Sequence, residues 1–173
     1  MTLTLQQLIT IMPNARAKAG IFLPALNAAM LEFGITTPAR QASFLAQLAH
    51  ESGQLLYVRE LASGAAYEGR KDLGNVQPGD GVRFRGRGLI QVTGRTNYAA
   101  CGKALGLDLL AQPALLEQTV NACRSAGWFW QSRGLNALAD AGDQVAVTRR
   151  INGGTNGLAE RLAYFKTAQR VLA

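Results

Sequence analysis

QASFLAQLAHESGQLLYVRE, residues 41–60, holds an apolar run that stops at one carboxylate, Glu51, with a second, Glu60, nine residues on. Thr37 and Pro38 supply a helix start, a capping side chain followed by a proline at the first helical position. Ala42, Phe44, Leu45, Leu48 and Ala49 then form a broad buried stripe. Gly53 is a natural stop just past Ser52. In an unbroken helix, residues 51 and 60 would lie on opposite faces, about 13 Å apart along the axis. The break at Gly53 lets the chain turn back, so that Glu51 and Glu60 face one cleft as a paired acid and base.

The chain of 173 residues suits one domain with a real core, split by a cleft into two lobes. We expect residues 1–173 to form a single catalytic domain, with 1–36 as an N-terminal helical cap, 37–173 as the core, and no room for a separate wall-binding module. Hydrophobic residues make up 48% and charged residues 17%, which excludes a disordered chain. Nothing approaches a membrane span, and the first residues lack the basic start and cleavage site of a signal peptide. The expectation is synthesis in a cytoplasm, with release by other means for any action outside it. A net charge of +7 favours anionic partners: nucleic acid, a membrane surface or an acidic wall polymer. Cys101 and Cys123 form no CxxC pair and there is one histidine, so no zinc set and no cofactor is expected; two buried thiols are the reading preferred over a disulfide.

Along the chain, Thr4 and Gln7 fit a capping box, and Asn14 is placed to cap a helix carrying Ile21, Phe22, Leu26, Met30, Leu31 and Phe33. Pro24 predicts a kink or a junction of two helices. Residues 61–80 read as turns, with a helical turn over 67–73 closed by Gly74. Residues 82–85 and 89–92 flank Gly86-Arg87-Gly88 as short strands or extended backbone lining the cleft. From Thr93 on the pattern is helical: a helix from 96, a run over 113–130 with Leu115, Leu116, Val120, Cys123, Trp128 and Phe129 apolar, two short helices near 135 and 143, and a last one from 158. The fold class expected is mainly α, with a small β or extended region beside the cleft.

Among the 11 acidic residues, Asp108, Glu117, Asp140 and Asp143 suit helix starts or outer faces, and Glu160 suits pairing on its own helix. Glu51 differs, because an apolar helix end partly desolvates its carboxyl group and suits it to donate a proton. Glu60, with Glu68 close behind, is the candidate partner. His50 reads as a packed histidine bonded to backbone, since HESGQ lacks the second histidine of H-E-x-x-H. The glycines of GRGLIQVTG match neither a dinucleotide fingerprint nor a phosphate loop. Arg83, Phe84, Arg85, Arg87 and Arg95 leave a polyanion-binding protein as the non-enzymatic alternative. Arg161, Lys166 and Arg170 read as a solvated basic face able to touch an anionic envelope.

AHESG at 49–53, GRGLIQVTGRTNY at 86–98, AGWFW at 126–130 behind LLAQPALLE, and RINGG at 150–154 with ERLAYFK at 160–166 occur in an order that resembles glycoside hydrolase family 19, and within it the lysozyme-like endolysins of bacteriophages. The resemblance implies a lysozyme-like two-lobed fold and inverting hydrolysis of β-1,4-linked amino sugars. It places Glu51 on the family's general acid and Glu60, in YVREL, on the base of the phage members. Gln91 and Thr93 fall on the motif whose hydroxyl helps hold the attacking water. Asn152 falls on a substrate-contacting asparagine, Arg161 on the cleft arginine, and Ser52 on the hydroxyl after the acid. Leu89 and Thr93 replace the plant motif's proline and serine. Asn156 replaces a carboxylate that pairs with the arginine, so the network steadying Glu51 must differ.

The expected reaction is protonation of the glycosidic oxygen by Glu51 while ionised Glu60, with Thr93, activates a water across the sugar, the two carboxyls standing roughly 6.5 to 9.5 Å apart. Gln91 and Asn152 orient the acetamido sugar, and Tyr57 stacks on it. Peptidoglycan glycan strands are the expected partner of a monomer that lyses a host cell, with no nucleic acid. Chitin is the runner-up substrate, and a lytic transglycosylase with a single acid is a further alternative.

Overall fold

The computed structural model describes residues 2–173. Its helices are α1 (Leu5–Ile11), α2 (Arg16–Glu32), α3 (Pro38–Glu51), α4 (Asp80–Arg83), α5 (Arg95–Leu105), α6 (Thr119–Ser132), α7 (Leu135–Asp140), α8 (Gln144–Asn152) and α9 (Leu158–Leu172). Local chemistry fixes several of their ends. Thr4 and Gln7 close a reciprocal capping box on α1. Thr37 accepts from the Arg40 N–H ahead of Pro38 at the start of α3, and Asp143 accepts from the Ala146 N–H at the start of α8. Glycines in the left-handed conformation end α5 and α8.

α3 is the axis of the molecule. Every residue from 41 to 49 is buried, and the helix packs most extensively against α9, with α7 and α1 beside it. Phe44 is fully buried and meets Trp130 of α6 edge to face, with ring centroids 5.3 Å apart. Burying a side chain of that size is worth about 2–3 kcal/mol. α1 packs on α9 and α2 on α6, so the buried side chains of residues 3–35 join one cluster with those of the rest of the chain.

Three expectations need correction. α2 runs unbroken through Pro24, which lies on the exposed face, and the Gly20 carbonyl it leaves without an N–H partner is on the solvent side, where water can serve it. Asn14 caps nothing: it sits in a 3-10 turn ahead of α2, and its N–H donates to Gln54 Oε1 at 2.9 Å. Residues 80–83 are helical, not extended, and the β content reduces to bridges of Arg87 with Arg59 and Val92. Ile21, Leu31 and Val120 are exposed; helical spacing identifies a repeat but not which stripe is buried.

Residues 61–80 carry 3-10 turns at Ala65–Tyr67 and Lys71–Leu73, the second closed by Gly74. Cys101 and Cys123 are buried free thiols, each pushed up to about 12 by burial. No helix among the described residues is long and apolar enough to cross a membrane.

Candidate active site

Glu51 stands at the end of a buried polar ladder. Ser43, Gln47 and Glu51 are four residues apart on α3, hence on one face, as are Gln144, Thr148 and Asn152 on α8. Ser43 Oγ donates to Gln144 Oε1 at 2.9 Å, and Gln47 Nε2 donates to Thr148 Oγ1 at 3.3 Å. The next rung pairs Glu51 with Asn152 across one cleft.

Arg161, buried on α9, ties the ladder to the acid. Its Nη1 donates to Gln47 Oε1 at 2.5 Å, its Nη2 to Glu51 Oε1 at 2.6 Å, and its Nε to the Asn156 carbonyl at 3.2 Å. Arg161 is therefore no part of a solvated face. The Glu51 side chain is 19% exposed, enough for one edge of the carboxylate to meet a ligand while the other is held. The Gln47 amide and the Asn156 backbone carbonyl take up the guanidinium contacts that a second carboxylate would otherwise make.

After Glu51, residues 53, 54 and 55 all take positive φ (57°, 60° and 67°), and the chain reverses. The bend is stabilised from within. Ser52 Oγ donates to the Leu48 carbonyl at 2.6 Å and accepts the Leu55 N–H at 2.8 Å. Ser52 is fully buried, which corrects the expectation of a substrate contact: its hydroxyl shapes the turn. The bend delivers Glu60 to the backbone at Gly86. Glu60 Oε2 accepts the Gly86 N–H at 3.1 Å, its own N–H donates to the Gly86 carbonyl, and Tyr67 Oη donates to its Oε1 at 2.8 Å. A Cβ at Gly86 would lie 2.8 Å from Gln91 Oε1 and 3.2 Å from Glu60 Oε2, so only glycine lets both side chains rest there. Burial, and after it the Glu60 carboxylate, push the Tyr67 hydroxyl up, which keeps it a donor.

The cleft holds about 490 Å³ and is bordered by the ends of α3 and α8 on one side, by residues 90–97 on another, and by the end of α6. Glu51, Gln91, Thr93 and Asn152 all line it. Gln91 takes φ 56°, its Nε2 donates to the Gly88 carbonyl, and Thr93 Oγ1 donates to the Gln91 carbonyl at 2.9 Å. The Asn152 amide braces its own loop, donating to the Asn156 carbonyl and accepting the Gly154 N–H. Glu60 and Tyr57 instead line a hollow next to Arg59 and Arg85, so the expectation that Glu60 borders the same groove directly is corrected: it reaches the cleft through Tyr67. Tyr57 packs over Gly53 there, apart from the Glu51 cleft.

Glu68, the rival base, accepts the N–H groups of Gly79 and Gly81 at 2.7 and 2.8 Å and serves as a loop clamp. His50 bonds Glu160 through Nδ1 rather than backbone, and Glu160 also accepts from Tyr164. Asp140 pairs with Arg40 and Glu117 with Arg87. Arg83, Arg87 and Arg95 are likewise occupied within the fold, by the Leu110 carbonyl, Glu117 and Asp80. Among the described residues no group of three or more His, Cys, Asp or Glu gathers as a metal site.

Reading from sequence missed Gln47, Tyr67, Asn97 and Arg133. Trp128 and Phe129, which the helical pattern gives only as apolar positions, are half-buried and line the cleft beside Arg133.

The chain is similar to known proteins over most of its length. The glycoside hydrolase family 19 model, described as chitinase class I, matches residues 34–165. A family 19 domain-containing protein of Haemophilus influenzae is 32% identical, over 82% of this chain and 84% of its own length. Endochitinase At2g43610 of Arabidopsis thaliana is 37% identical over 77% of this chain, which spans about half (46%) of that protein's length. Chitinase C of Streptomyces griseus superimposes with a TM-score of 0.82 at 26% identity, covering 99% of this chain and 92% of its own. A mainly helical, lysozyme-like fold shared with that chitinase and a family match over most of its length make this chain a member of glycoside hydrolase family 19.

Proposed function

We propose that the enzyme hydrolyses the β-1,4 bonds of bacterial peptidoglycan by inversion, as an endolysin acting on the wall of a host cell after synthesis in its cytoplasm. The observation that carries this reading is the held carboxylate of Glu51 at the cleft, with a second carboxylate one hydrogen bond away at Tyr67. Glu51 donates its proton to the leaving oxygen. Glu60, ionised, takes one from a water that Thr93 helps to orient, and Gln91 positions the sugar. Because Tyr67 stands between Glu60 and the cleft, substrate binding has to shift the Tyr67 segment or seat a bridging water there. The net charge of +7 suits an anionic wall polymer.

Digesting purified peptidoglycan and reading the fragments by mass spectrometry tests the scheme. Intact reducing ends, lost in the Glu51→Gln and Glu60→Gln proteins, support it; anhydro ends would instead mean a lytic transglycosylase. A chitinase reading is favoured by the names of the plant and Streptomyces relatives, and comparable release from chitin oligomers with none from peptidoglycan would establish it. A monomeric state, checked by light scattering, belongs to the same proposal.

A further inference from the structure

Arg133 ends α6 at the rim of the cleft, and its position there is unexplained by the fold. Its guanidinium carbon lies 3.7 Å from the centroid of the Phe129 ring, a cation over the face of a side chain that lines the same cleft. Arg40, Arg70, Arg87, Arg95, Arg124 and Arg161 each hold a carboxylate close by. Arg133 has no carboxylate partner and no side-chain hydrogen bond among the described residues. Burial alone pushes its guanidinium down from the ordinary arginine value, the opposite of what an ion pair would do. The ring holds the guanidinium carbon at the cleft wall, and no side chain among the described residues takes up its N–H groups. Arg150 adds positive charge nearby, its Nη1 donating to the Arg133 carbonyl at 3.0 Å.

A half-buried and unpaired guanidinium in a sugar-binding cleft suits a planar anion, because the fork matches two carboxylate oxygens. We infer that Arg133 forms an anion subsite that binds a carboxylate carried by the substrate, making it a specificity residue for acidic over neutral amino-sugar polymers. The inference deepens the peptidoglycan reading and rests on it. Chitin offers no carboxylate. Peptidoglycan offers two sources, the lactyl group of muramic acid in peptide-free strands and the acidic residues of the stem peptide.

The test compares wild-type, Arg133→Gln and Arg133→Lys proteins on peptide-bearing peptidoglycan, on strands stripped of peptide, and on a chitin hexamer. The expected result is an about tenfold fall in the ratio of kcat/KM on the carboxylated glycan to that on chitin, chiefly through KM, with Lys recovering only part. A fall confined to stripped strands assigns the lactyl carboxylate, and one confined to peptide-bearing material assigns the stem. An equal loss on all three substrates overturns the subsite and leaves the hydrolase reading standing. If the wild-type enzyme leaves peptidoglycan uncut, binding of a GlcNAc-MurNAc disaccharide is compared with that of its methyl ester by calorimetry. A preference for the free acid that Arg133→Gln abolishes keeps the subsite while the peptidoglycan reading falls; equal binding of acid and ester overturns the subsite as well.

Discussion

Glu51 ends a helix buried without interruption from residue 41 to 49 and is held by an arginine that is itself buried, whereas Glu60 lies on a segment of turns and is held by one phenol and one backbone amide. Rotating the first out of place would break contacts among α3, α8 and α9. Moving the second disturbs only the turns that carry Tyr67 and the backbone at Gly86. A proton donor has to be fixed at the bond it breaks, and a base that delivers water gains from a support that yields as substrate enters. The contrast predicts that the two ends respond differently to substitution.

The largest effect is expected at the rigid end. Glu51→Gln keeps the Arg161 contact through its amide oxygen yet carries no proton to give, and should lose about 10³–10⁴-fold in rate of reducing-end release. Its melting temperature should stay near that of wild type; a fold that collapses, or reducing-end release near the normal rate, breaks the comparison. Glu60→Gln should lose about 10²–10³-fold. Tyr67→Phe, which frees Glu60 from its phenol, should change the rate less than either. A Tyr67→Phe loss as large as that of Glu60→Gln would make the phenol part of the chemistry and not a support.

How far each end was legible in the sequence follows the same division. The α3 boundaries were, because Thr37, Pro38 and Gly53 act through neighbours in the chain. The ladder was not, because Ser43 and Gln47 look like interruptions of an apolar face until their partners, 101 residues away on α8, are beside them. The choice between Glu60 and Glu68 was equally closed to spacing, since Glu68 is used up by amides of Gly79 and Gly81 that only the folded loop brings round. Helical spacing alone put Arg161 on a solvated face, while the resemblance put it at the cleft; spacing could not see its partners, which lie on α3, 110 and 114 residues away.

That ladder yields a prediction of intermediate size. Gln47→Leu fits the volume but leaves an Arg161 N–H and the Thr148 hydroxyl without a partner in a buried place. The cost should be about 1–3 kcal/mol in denaturant unfolding. Catalysis should fall as well, because Arg161 then holds Glu51 with one neighbour fewer. An activity loss with unchanged stability would mean that Gln47 acts on the site and not through the packing of α3 on α9.

The smallest effect belongs to the turn-built side. Asp80 is buried beside Arg95, whose hydrogen bonds at 2.6 and 2.8 Å hold its carboxyl below the ordinary aspartate value against the opposing pull of burial, with help from the N–H groups of Gln77 and Val76. The folded chain therefore binds this proton less readily than the unfolded one. The contribution to stability is complete above the ordinary aspartate value of about 3.9 and is lost as pH falls through the lowered folded value. Asp80→Asn should remove that acid-side dependence and lower stability at neutral pH, with the early losses of amide-exchange protection confined to residues 75–95. Protection lost equally along α3 would show that the two sides of the cleft unfold together, and the difference in support between Glu51 and Glu60 would then have no consequence for their mobility.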